Sequence, residues 1–139
     1  MKVREFKIKD QEAVIELWKK CNLVVPWNNP VKDIQRKIKV APDLFLVGEI
    51  SGAVVASVMG GYDGHRGWIN YLAVSPEHQR KGYGRMIMEN AESLIKQKGC
   101  PKINPQVRAS NKDVIEFYEA IGYGNDDVIG LGKWIEQDE

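Results

Sequence analysis

A mixed α/β fold, in the broad α+β sense, follows from three features of this 139-residue chain. β-rich runs bunch between residues 44 and 74, four stretches carry helical apolar spacing, and glycine or proline punctuates the joins. Mixed order of this kind belongs to sheets with helices packed on their faces. The length, with no repeat, low-complexity tract or linker, makes residues 1–139 a single domain.

The first run, "MKVREFKI", spaces Val3, Phe6 and Ile8 as an imperfect strand. Asp10 is placed to cap a helix whose apolar face is Val14, Leu17, Trp18 and Cys21. "CNLVVPWNNP" breaks that helix, and Asn29-Pro30 starts a second one, with Val31, Ile34 and Ile38 as a thin apolar stripe among basic residues. "LFLVGEI" and "AVVASVMGGY" are strands joined by the short turn Ser51-Gly52; "DGHRG" turns the chain again into "WINYLAV". These three runs form an antiparallel meander that Ser75-Pro76 ends. A third helix after Gly84 presents Ile87, Met88, Ala91, Leu94 and Ile95, and Gly99 with Pro101 stops it. "KINPQVRAS" is a further strand in which Pro105 leaves one ladder donor missing. The last helix, "NKDVIEFYEAIGY", spaces Val114, Phe117, Tyr118 and Ile121, and "DVIGLGKWI" reads as a closing strand. The order is β-α-α-β-β-β-α-β-α-β.

Hydrophobic residues make up 43% of the chain and charged residues 28%, with a net charge of +1. Nothing global draws such a chain to nucleic acid or to a membrane, so any anion preference is local. The charged N-terminus lacks a secretory h-region, and no apolar run reaches the roughly 18 residues of a membrane span, so a cytoplasmic location is expected. Cys21, on an apolar helical face, reads as a buried free thiol, and Cys100, before a proline, as partly exposed. His65 and His78 have no paired carboxylate or cysteine, so no metal is expected.

The stretch "HQRKGYGR", residues 78–85, concentrates two glycines and three cations just ahead of a helix. A helix N-terminus leaves N–H groups unpaired and carries partial positive charge. Gly82 and Gly84 bare that main chain while Arg80, Lys81 and Arg85 add charge, which together suit a phosphate or pyrophosphate. A plain solvated loop is the alternative. Ile87 stands where a dinucleotide fingerprint has its third glycine, which argues against that class.

The segment "LAVSPEHQRKGYGRMIMENAE" resembles motif A of the GCN5-related N-acetyltransferase (GNAT) family, with Gln79-Arg80-Lys81-Gly82-Tyr83-Gly84 as its core signature. "VRASNKDVIEFYEAIGY" resembles the family's motif B, and "PWNNP" and "GGYDGHRG" resemble a YpeA-like bacterial subgroup. The resemblance implies a mostly antiparallel mixed sheet splayed between strands 4 and 5, flanked by about four helices. It implies acetyl-CoA as co-substrate and direct acetyl transfer to the primary amine of a small-molecule or peptide acceptor. Cofactor contacts would fall on Leu72, Val74, Gln79, Arg80, Lys81, Gly82, Tyr83, Gly84, Arg85, Asn111 and Tyr118. The Leu72 amide would polarise the thioester carbonyl, and Tyr118 would protonate the thiolate unless it is simply core; Asn111 serves equally as a helix cap. Relatives place a basic glutamate where this chain has Trp68 or Gln106, so Glu49, Asp63 and His65 remain, histidine being the type that titrates nearest neutrality. Trp27, Asn28, Tyr62 and Asp63 are the loop residues expected to meet the acceptor. The acceptor itself, the acyl-chain preference and a homodimer are left open. A non-catalytic CoA-binding sensor is the alternative that the absent glutamate supports.

Overall fold

The computed structural model of the chain describes residues 1–138. Five strands form one sheet in the order β1 (Lys2–Glu5), β2 (Phe45–Ile50), β3 (Ala53–Tyr62), β4 (Gly67–Val74) and β5 (Ile103–Pro105). The first four are antiparallel neighbours, and β5 runs parallel to β4. Helices α1 (Gln11–Lys20) and α2 (Pro30–Lys37) cover one face; α3 (Tyr83–Gln97) and α4 (Lys112–Ala120) cover the other.

Burial on both faces explains why β2 is a nearly continuous apolar run. Phe45 and Val47 join Val14, Leu17, Trp18 and Ile34 in the core under α1 and α2. Leu44 and Leu46 point the other way, into the core formed with Ile87, Met88, Ala91 and Ile95 of α3. The turn at Ser51-Gly52 has φ of 50° and 81°, the paired left-handed geometry of a two-residue hairpin loop. Asn29 caps α2 by accepting the Lys32 N–H at 3.0 Å, with Pro30 at its first position.

Several sequence expectations need correction. Asp10 does not cap α1; its carboxylate accepts two bonds from the Arg4 guanidinium (2.8 and 2.9 Å) and the Lys7 N–H (2.8 Å). On α2 only Ile34 is buried, while Val31 and Ile38 stand exposed. The cysteines exchange roles. Cys100 is buried, and Cys21 is half-buried with its thiol donating to the Val74 carbonyl at 3.3 Å. The strand expected over "KINPQVRAS" is cut to three residues, and the closing strand "DVIGLGKWI" is absent. Both losses share a cause: a three-residue edge ending in a proline without an N–H is a poor template, and Gly130 and Gly132 weaken the segment that would join it.

Candidate functional site

Pairing between β4 and β5 covers only Gly67↔Ile103, Trp68↔Asn104 and Ile69↔Pro105. Beyond Ile69, β4 stays paired with β3 as far as Val74 but has no strand on its β5 side, so the sheet opens there into a gap. The strand changes character at the same point. Ser57 opposes Ala73 and Met59 opposes Asn70, so Tyr71 and Leu72 together face the single residue Val58. This is a β-bulge, and Tyr71 within it has φ of 50°, which a side chain adopts only under constraint.

Two features supply that constraint. Fully buried Ser57 accepts the Trp18 indole N–H (2.8 Å) and donates to the Tyr71 carbonyl (2.8 Å). The Trp18 ring stacks on the Tyr71 ring with centroids 3.8 Å apart. The bulge also switches faces: Ile69, Leu72 and Val74 pack toward α3, whereas Tyr71 and Ala73 pack toward α1.

The loop after β4 leads into α3 through Arg80 (φ 64°) and Gly82 (φ 83°). Among the described residues, no backbone acceptor takes the N–H groups of residues 80–85; the first to find one is Met86, onto Gly82 at 3.0 Å. Gln79 ties this loop to the gap by donating to the Val74 carbonyl at 3.0 Å. Nearby, the buried His78 Nδ1 has no hydrogen-bond partner among the described residues, and its ring lies 6.4 Å from that of Tyr83. Bare N–H groups, an orphaned imidazole nitrogen and an unpaired strand edge are a good fit to a phosphate-bearing, chain-like ligand.

Two of the expected cradle residues act differently from the sequence argument. A Cβ on Gly84 would lie 3.0 Å from Phe117, so this glycine makes room for α4 rather than for a ligand. Arg85 donates to the carbonyl of Ala120 at 3.2 Å and so caps the end of α4. Asn111 accepts the Val114 N–H at 3.4 Å, the cap of the same helix. Tyr118 is 6% exposed and stacks edge-on with Phe117 and Tyr123; burial pushes its phenol well above the ordinary range.

On the α1–α2 side a second set assembles. Asn28 donates to the Tyr71 hydroxyl (3.4 Å), which donates to Asp33 (2.5 Å), and Asp33 holds Arg36 at 2.7 Å. These residues, with Lys37, Val40, Met59 and Asn70, line a pocket of about 450 Å³ beside the bulge. Burial and Asp33 raise the Tyr71 phenol beyond its usual range. Trp27, half exposed, carries the Arg108 guanidinium 5.1 Å over its ring, which links this loop to the chain leaving β5.

Not every expected residue joins them. Tyr62, Asp63 and His65 sit at the tip of the β3–β4 hairpin. Strand rise alone separates Gly67 from Tyr71 by about 13 Å. Asp63 there is committed: the Arg66 N–H, the Trp68 indole and the His65 N–H hold its carboxyl down to about 2. Glu49 lies on β2 at the far side of the sheet, paired with Arg4 at 3.2 Å. Sequence reasoning missed Tyr71, Asp33 and Arg36. Their one sequence signal is Asn70-Tyr71, a polar pair interrupting an apolar strand.

The acetyltransferase (GNAT) family matches residues 11–123. An acetyltransferase of Yersinia enterocolitica is 47% identical over 139 residues, 100% of this chain and 99% of its own. Among solved structures, Ard1 from Thermoplasma volcanium superposes with a TM-score of 0.78 at 26% identity, over 87% of this chain and 80% of its own. AAC(6')-Iy, solved with the bisubstrate analogue CoA-S-monomethyl-acetylneamine, gives 0.79 at 12% identity, over 96% and 97%, a likeness of fold.

Proposed function

The chain belongs to the acetyltransferase (GNAT) family, and from that premise we propose that the bulge, gap and loop hold acetyl-CoA while the Asn28–Asp33–Tyr71 pocket receives a primary amine. The enzyme is an N-acetyltransferase, and acetyl-CoA supplies an activated acyl carbon. The acceptor's ammonium first gives one proton to solvent water; the neutral amine nitrogen then bonds to that carbon, the carbon–sulfur bond breaks, the nitrogen loses a second proton and the thiolate gains one. The products are an N-acetyl amide and CoA.

The N–H groups of Arg80, Lys81, Gly82, Tyr83 and Arg85 bind the pyrophosphate, and the Arg80 and Lys81 side chains neutralise it. Gln79 holds the loop against β4. The pantetheine arm lies along the open side of β4 by Leu72 and Val74, as an added strand would. At the bulge the Leu72 N–H donates to the thioester oxygen as charge builds on it. Tyr118, kept protonated by burial, donates to the departing sulfur. Asp33 draws the acceptor's ammonium group toward the bulge, so the pocket holds the carboxylate that Trp68 and Gln106 lack.

One observation carries this reading: the sheet opens beside a constrained bulge, directly ahead of a loop with unpaired N–H groups. Calorimetry with acetyl-CoA, CoA and NAD tests the nucleotide site, with CoA expected to bind and NAD not. Thiol release across an amine panel tests transfer. Tighter binding of NAD than of CoA would overturn the reading.

A further inference from the structure

Residues 124–138 follow α4 without entering a helix or strand. They start against β5, where Asp126 takes Lys102 (2.9 and 3.0 Å) and Asn104 (2.6 Å). They finish on α2, where Asp138 meets Arg36 through two parallel bonds of 3.0 and 2.5 Å. Between these anchors Val128, Ile129, Leu131 and Ile135 are each at least 79% exposed. A strap that buries so little, fastened by exposed ion pairs, has low local stability, and its end is exchangeable.

What the end occupies is informative. Two parallel N–H···O bonds are how a guanidinium recognises a carboxylate. Arg36 lines the acceptor pocket and shares its guanidinium between Asp138 and Asp33. That pocket reaches the bulge through Asn70 and Tyr71, next in sequence to Leu72. A carboxylate-binding guanidinium and the Asp33 carboxylate, which already holds Arg36 and the Tyr71 hydroxyl, thus stand side by side in one pocket.

We propose that Arg36 is a carboxylate subsite for the acceptor, that the acceptor is an amino acid, and that Asp138 fills this subsite until the acceptor displaces it. The inference rests on the transfer reading above. Asp33 takes the ammonium end and Arg36 the carboxylate end. Acetylation converts the ammonium into a neutral amide, so the product keeps only its carboxylate and loses its hold on Asp33. A polycationic acceptor would instead press ammonium groups against Arg36.

The test uses matched acids and amides of increasing length: glycine and glycinamide, β-alanine and β-alaninamide, 4-aminobutyrate and its amide, and 5-aminopentanoate and its amide. At least one acid should exceed its own amide about tenfold in kcat/KM. Arg36→Gln should bring that ratio to about one. Asp138→Asn should lower KM for the acids about threefold more than for the amides. Ratios of one throughout, a ratio that survives Arg36→Gln, or acids and amides responding alike to Asp138→Asn would each overturn the proposal. Calorimetry with the same pairs reads binding without turnover, and acetyl-CoA titrated alone reports the nucleotide site. Normal acetyl-CoA binding with acids no tighter than amides sinks this inference alone; lost acetyl-CoA binding sinks the transfer reading.

Discussion

The two halves of the site are made of different material. On one side, residues 79–85 and the open edge of β4 offer main-chain N–H groups, and side chains there mostly hold the scaffold: Gln79 ties loop to strand, Arg85 caps α4. On the other, Asn28, Asp33, Arg36 and Tyr71 offer side chains from a loop, a helix and a strand. A main-chain site is specified by a few consecutive residues, because baring N–H groups is a local property. A side-chain site exists only after folding has joined distant segments. The first kind is hard to retarget, and the second is open to substitution one residue at a time.

Ser57 joins the halves and is the place to break the division. Ser57→Ala leaves the Trp18 N–H and the Tyr71 carbonyl without their partner, which should lower stability by about 2–4 kcal/mol and reduce kcat with either co-substrate saturating. Urea unfolding and steady-state kinetics measure both; kcat intact in a destabilised protein would show that the bulge stands without its pin. Next in size, Tyr118→Phe should lower kcat by about a hundredfold while CoA affinity by calorimetry holds. Because burial raises both the Tyr118 and Tyr71 phenols, neither ionises near neutrality, and kcat should show no falling limb below about pH 10. Stability follows the same sign. Each phenol titrates higher folded than unfolded, so its contribution is intact below about pH 10 and drains as pH climbs further.

Smaller effects should sort cleanly by side. Gly82→Val forces a left-handed φ on a branched residue, a strain of about 1–2 kcal/mol, and should weaken CoA about tenfold while the acceptor KM stays put. Tyr71→Phe loses the bonds to Asn28 and Asp33, about 1 kcal/mol, and should raise the acceptor KM several-fold with CoA binding unmoved. If either variant moved both constants alike, the halves would not be separate.

The same contrast governs what was legible beforehand. The faces of α1, α3 and α4, the hairpin at Ser51-Gly52 and the loop at 79–84 are written in local spacing, and the structure carries them. The splay between β4 and β5 had a local sign in Pro105. The pocket of Asn28, Asp33, Arg36 and Tyr71 had almost none. Asp33 and Arg36 look like the solvated face of an amphipathic helix until α2 is laid beside β4. Hairpin residues Asp63 and His65 looked chemically suitable, yet strand length alone carries them away from the bulge. The closing strand failed for the opposite reason: its apolar residues suggested pairing, but the edge it needed was too short.

Consider last what the extra residue in β4 means for inheritance. Strike Tyr71 from the chain, and Ile69, Asn70, Leu72, Ala73 and Val74 alternate without interruption, each core residue still directed to the helix it packs against now. A single lost codon would therefore restore plain alternation along β4 and erase the bulge beside the gap, together with the ring that stacks on Trp18 and the carbonyl that accepts from Ser57.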